Sequence, residues 1–166
     1  EILKNSKVII SNTYSQSSLK NKAFSKYGIS KNITYETFKN FCNLYKIEYK
    51  SIFINNPWGI LEEKKLNYYL ISCWLEKKEA IIKNPYYIRD NINIDILSSI
   101  YNKMILSNSS KKEYYPSGYC CSNRVFCEAL RQDFEKFFKI VTRVKYLTKQ
   151  INDEPIVLTN KAKILK

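Results

Sequence analysis

Apolar and polar positions change period several times along the chain. Val8 to Ser11 ("VIIS") is a short apolar run that ends in small polar residues, as a buried parallel strand does where it delivers side chains to a site. A Ser/Lys/Asn-rich connection follows. From about Ser25 to Lys46 the period is helical, with Tyr27, Ser30, Lys31 and Thr34 on one face and Phe38, Phe41, Cys42 and Tyr45 on an apolar one. "IEYKSIFINN" then alternates and fills in as a strand, which "NPWG" breaks. A second amphipathic helix covers roughly 64–78, its stripe of Leu66, Tyr69, Leu70, Cys73 and Trp74 reading as core. "AII" and "DNINI" are short strands around a turn at Pro85. A helix over 95–106 turns Ile96, Leu97, Ile100 and Met104 inward. After the loop "SNSSKKE", Ser122 is the N-cap of a last helix carrying Val125, Phe126, Ala129, Leu130, Phe134, Phe137 and Phe138, and "EPIVL" supplies an edge strand. Alternating strands and helices predict an α/β class with a mainly parallel sheet. Ligands of such sheets bind at the carboxyl ends of strands, where "SNT" and "NNPWG" both fall.

Composition narrows the chemistry. With 45% hydrophobic residues in 166, the chain can bury an ordinary core. No apolar run approaches the roughly 20 residues of a membrane helix. "ILKNSKVIIS" lacks both the charged leader and the cleavage site of a signal peptide, and the chain begins on Glu1. The expected setting is therefore cytoplasmic and off the membrane. The formal charge of +13 invites a nucleic-acid reading, but of 28 basic residues only Arg89, Arg124, Arg131 and Arg143 are arginine, and the lysines are spread evenly. A solvated basic surface is the reading adopted, with no nucleic acid as partner. Five cysteines make no even disulfide framework, and without His or Cys-x-x-Cys a zinc site has little to be built from. The lack of His also leaves acid–base work to Tyr, Lys, Asp, Glu or Cys.

Two Tyr-x-x-x-Lys spacings occur, Tyr27/Lys31 in "KYGISK" and Tyr35/Lys39, about as many as chance predicts for so many tyrosines and lysines. On a helix the partners of each pair stack one turn apart. An ammonium about 4 Å from a phenolate, at an effective dielectric near 20, stabilises it by roughly 4 kcal/mol, enough to bring phenol acid–base chemistry toward neutral pH. Thr13, just beyond the first strand, is a hydroxyl placed to hold a reacting oxygen beside Tyr27. The second pair has no such strand and reads as a surface pair. Arg89 taken alone reads equally as an ion-pair partner of Asp90 or Asp95, and Asn56 as a turn residue.

Four stretches together resemble the extended short-chain dehydrogenase/reductases that act on nucleotide-activated sugars, the NAD-dependent epimerase/dehydratase family. "VIISNTY" is similar to their fifth strand, "YGISK" to their Tyr-x-x-x-Lys, "FINNPWG" to the Asn-Pro-Tyr-Gly segment after the sixth strand, and "IRDNINIDIL" to their Arg-Asp-Phe-Ile-His-Val-Asp-Asp-Leu segment. The resemblance spans residues 8 to about 106. It implies the C-terminal half of a Rossmann-type parallel sheet (1–56) plus the smaller substrate-binding domain (57–166), with 89–106 packing back on the first part. It further implies Tyr27 as catalytic acid/base and Lys31 as its assistant and holder of the nicotinamide ribose. Thr13 would bond the reacting sugar oxygen, Asn55 would lie by the nicotinamide, and Asn56 and Arg89 would bind the nucleotide sugar and its diphosphate. The cofactor would be NAD or NADP, the substrate a nucleotide-activated sugar, the full-length form a homodimer, and the setting surface-polysaccharide synthesis.

Departures from the family pattern shape the expectation. The family's Gly-rich pyrophosphate cradle cannot be made from Gly28, Gly59 and Gly118, the only glycines, so a fragment inactive alone is expected. Dehydratases of the family carry Asp-Glu after the catalytic Thr, where this chain has Tyr14 and Ser15. An epimerase or ketosugar reductase is therefore expected in preference to a dehydratase. The alternatives are a non-catalytic dinucleotide- or partner-binding relative and a basic nucleic-acid binder.

Overall fold

A computed structural model describes residues 8–12, 25–60, 62, 64–147 and 155–161. The first sheet has the order β1 (Val8–Asn12), β2 (Tyr49–Phe53), β6 (Glu113–Tyr114), and all its pairings are parallel. Helix α1 (Lys26–Leu44) is the crossover between β1 and β2. It starts where expected because Ser25 is extended and its Oγ accepts from the Gly28 N–H at 3.0 Å. The buried positions of α1, namely Gly28, Tyr35 and Cys42, recur every seven residues, so one narrow seam faces the sheet. Phe41 and Tyr45, expected on the inner face, are exposed, and their rings pack against each other in a tilted arrangement, centroids 4.6 Å apart.

"NPWG" does not end the strand region. Asn56–Trp58 forms β3, which pairs in parallel with β5 (Ile88–Asn93) in a second sheet. That sheet also holds β7 (Tyr119–Ser122), antiparallel to β5, and β9 (Val157–Leu158), parallel to it, the edge strand read from "EPIVL". A third sheet pairs β4 (Glu79–Ile82) with β8 (Arg143–Tyr146) in parallel. Its inward side packs between α2 (Leu66–Leu75) and α4 (Asn123–Phe138) around Leu70, Trp74, Ala80, Ile82, Cys127 and Phe134.

Helix α3 (Ile94–Leu106) packs Leu97 and Met104 against Ile52, Ile54 and Ile92. Each such side chain contributes about 1.5–3 kcal/mol on full burial. Ile96 is 54% exposed, against expectation, because the helix begins at Ile94 with Asn93 as N-cap and turns Leu97 inward. The C-terminus of α3 is held by an unusual cap, the Nζ of buried Lys50 on β2, which donates to the carbonyls of Met104 (2.9 Å) and Ser107. Val125, Phe137 and Phe138 of α4 are exposed rather than core. Class and parallel connectivity agree with the α/β expectation.

Candidate functional site

The parallel register places Asn12 opposite Phe53, so β1 and β2 end side by side. Thr13 itself lies outside the described residues. Because α1 returns antiparallel to the strands it connects, its first turn, with Tyr27, lies toward this carboxyl end. Tyr27 is 52% exposed, and Lys31 Nζ sits 5.4 Å from the centroid of its ring. The one-turn spacing therefore does bring the ammonium onto the phenol, over the ring face.

The second pair differs. Tyr35 is buried rather than on the surface, although Lys39 Nζ is also 5.4 Å from its ring. Its ring packs edge-on to Phe53 at 5.2 Å, and its hydroxyl donates to Glu113 Oε1 at 2.5 Å. Burial, and then the bond to Glu113, push its pKa well above the ordinary tyrosine range. A phenol held this way keeps its proton, so geometry separates two pairs that spacing alone did not.

Beyond β2, Asn55 and Asn56 are fixed from below by β5. Asn55 Nδ2 donates to Asp90 Oδ2 (3.1 Å), and Asn56 Nδ2 to Asn91 Oδ1 (2.5 Å). Asp90 is completely buried and also accepts from Ser117 Oγ, the Gly118 N–H, Thr159 Oγ1 and the Asn160 N–H at 2.7–3.1 Å. Five donors answer the desolvation of one carboxylate. Asp90 is thus held by uncharged donors rather than by Arg89. Arg89 Nη1 reaches the carbonyls of Ile88, Pro155 and Ile156, and the guanidinium lies 4.8 Å from the Tyr87 ring centroid. Alternation along β5 directs neighbours 89 and 90 to opposite faces. Asn55 Oδ1 is buried and has no donor among the described residues.

Asn55 and Asn56 therefore sit at the β3–β5 junction, Arg89 lies beside β7 and β9, and Tyr27 and Lys31 occupy the first two turns of α1. Asp90, Asn91, Gly118 and Asn160 were missed as supports of the site. Asn160 Nδ2 bridges the carbonyls of Phe53 and Pro116 across more than a hundred residues of chain, which no local pattern signals. Gly118 had one available clue, being among only three glycines.

No protein-family model and no curated protein sequence matches the chain. Solved structures do. A UDP-N-acetylglucosamine 4-epimerase from Methanobrevibacter ruminantium M1, in complex with UDP-N-acetylmuramic acid, superposes with a TM-score of 0.71 at 16% identity, over 92% of this chain and 53% of that one. A UDP-glucuronic acid 4-epimerase from Bacillus cereus, in complex with UDP-glucuronic acid and NAD, gives 0.71 at 19% identity, over 96% and 55%. A dTDP-glucose 4,6-dehydratase from Bacillus anthracis, in complex with NAD, gives 0.68 at 16%, over 95% and 54%. The chain has the Rossmann-type α/β fold of these sugar-nucleotide enzymes, the fold that the resemblance of its motifs implied. It spans about half the length of each of them.

Proposed function

We propose that the chain is the substrate-binding portion of an NAD(P)-dependent sugar-nucleotide epimerase or ketosugar reductase. What supports this reading is the fold shared with sugar-nucleotide enzymes, together with Asn55 and Asn56 held by β5 just beyond the end of β2 and the Tyr27/Lys31 pair on the helix that joins β1 to β2. In this reading residues 1–56 complete a nucleotide-binding domain and 57–166 form mainly the substrate region, with 89–106 packing back on the former. A cytoplasmic homodimer serving surface-polysaccharide synthesis belongs to the same reading.

The residues present fit the nicotinamide end of such a cofactor. Asn55 Oδ1, a buried acceptor with no donor among the described residues, lies just beyond the end of β2, with a phenol and an ammonium on the helix that leads into that strand. The pyrophosphate end has no glycine-rich cradle among these 166 residues, so no residue is assigned to it. When bound, NAD(P) would supply hydride acceptance and return at a sugar carbon. Tyr27 would take and return the proton of the sugar hydroxyl, and Thr13 would hydrogen-bond the same oxygen. Lys31 would stabilise the phenolate and hold the ribose. Asn56 would orient the nucleotide sugar, and Arg89 would neutralise its diphosphate.

Saturation-transfer NMR with UDP-glucose and UDP-glucuronic acid tests the binding half of the reading, with Arg89→Ala expected to abolish the signal. In the full-length protein, Tyr27→Phe should remove epimer exchange while leaving the cofactor bound; retained turnover would overturn the assignment. Bound nucleotide with no hydride exchange on any sugar nucleotide would instead favour a non-catalytic relative.

A further inference from the structure

The third sheet carries a second inference, independent of the nucleotide-sugar reading. β4 and β8 are parallel, with Glu79 opposite Arg143, so both strands begin at the same end. The chain enters β4 through Lys77 and Lys78 and enters β8 through residues 139–142. Each entry turn has a lysine in the left-handed region, Lys77 at φ 56° and Lys139 at φ 57°. Between the turns lies a pocket of about 330 Å³ whose walls include Trp74, Lys77, Lys78, Lys139, Thr142 and Arg143.

Four cations meet three carboxylates about this rim, Glu76, Glu79 and Glu135, the last accepting from the N–H and Oγ1 of Thr142 in the wall and paired with Arg131. Lys78 Nζ is 2.6 Å from Glu76, both side chains being exposed. Lys77, Lys139 and Arg143 have no ion-pair partner among the described residues, although Glu79 stands across from Arg143 in register. Like charges gathered without counter-charges repel, and an anion removes that cost. Trp74 closes the pocket on the side of the core. Trp74 is 1% exposed, and its Nε1–H, a group that can only donate, is buried without an acceptor among the described residues.

We propose that this pocket binds a small, multiply charged phosphate anion of the diphosphate class, held by Lys77, Lys139 and Arg143 against the Trp74 indole. Diphosphate oxygens match both the guanidinium fork and the ammonium groups. The pocket is at the lower end of the range for small-molecule sites, which suits a compact anion.

The test uses the whole chain with Trp58→Phe, which leaves Trp74 as the only tryptophan. Inorganic pyrophosphate is titrated at about 0.05 and 0.15 M salt, following Trp74 emission, with calorimetry on the unsubstituted chain as a second readout. A saturable one-to-one response is expected, about tenfold or more weaker in Lys139→Ala/Arg143→Ala and unchanged in the control Lys83→Ala. Circular dichroism checks that each variant is folded. Absence of saturable binding in calorimetry, an equal response to acetate at matched ionic strength, or an equal loss in Lys83→Ala would each overturn the site.

Discussion

The hydroxyl of Tyr35 donates to Glu113 Oε1 across 2.5 Å, joining the middle of α1 to β6. Glu113 accepts from Tyr115 through its other oxygen, and Tyr115 stacks on Phe53 at 4.7 Å, so one carboxylate gathers two phenols beside β2. Tyr35→Phe leaves Glu113 short of a donor and should lower stability by about 1–3 kcal/mol. Tyr27→Phe, on a half-exposed ring, should stay within about 0.5 kcal/mol. Urea denaturation of the two variants measures the contrast, and equal costs would contradict it.

Alkali should unfold this protein through the same phenols. Tyr35, Tyr115 and Tyr146 all have raised pKa values, from burial first and then from hydrogen bonds to Glu113 or Glu128. Their contribution is complete below the unfolded tyrosine value of about 10. Above it the unfolded chain releases protons that the folded chain keeps, so stability falls as pH rises, by at most about 1.4 kcal/mol per pH unit for each tyrosine. Denaturation midpoints measured from about pH 9 upward should fall, and Tyr35→Phe should make the fall shallower.

Lys50→Met should be costly even though it removes a charge from the interior. The ammonium satisfies the carbonyls of Met104 and Ser107 at the end of α3, and Met leaves both without a donor. A loss of about 2–3 kcal/mol is expected in urea denaturation, with helix content reduced near residues 103–107 by hydrogen exchange.

At the β3–β5 junction, Asp90→Asn turns an amide NH2 toward groups that already donate. A cost of about 2 kcal/mol is expected and, on the proposed function, weaker NAD(P) binding by the full-length protein because Asn55 loses its anchor. Gly118→Ala should cost at least as much. A Cβ there would lie 2.2 Å from the Asn91 carbonyl oxygen, a backbone atom that cannot rotate away. Calorimetric melting temperature and the saturation-transfer signal of NAD(P) together report both effects.

Periodicity read the strands in "IEYKSIFINN" and "DNINI", the four helices named among the described residues and the cap at Ser122; helices and cap rest on contacts within a few residues. It read "NNPWG" as a strand end, where the structure has Asn56–Trp58 as a further strand. It could not rank Tyr27 above Tyr35, since both have a lysine one turn on with the same ring geometry. Thr13 upstream and the motif resemblance favoured Tyr27 in the sequence; the structure separates the two through Glu113, 78 positions along the chain from Tyr35, which accepts from that buried phenol, whereas Tyr27 is half exposed. Nor could periodicity show Asp90 as the hub under Asn55, or β3 as a strand, because their partners lie on other elements. Local spacing determined which segments are strands and helices, and only tertiary burial decided which of their polar groups are locked into structure and which face outward.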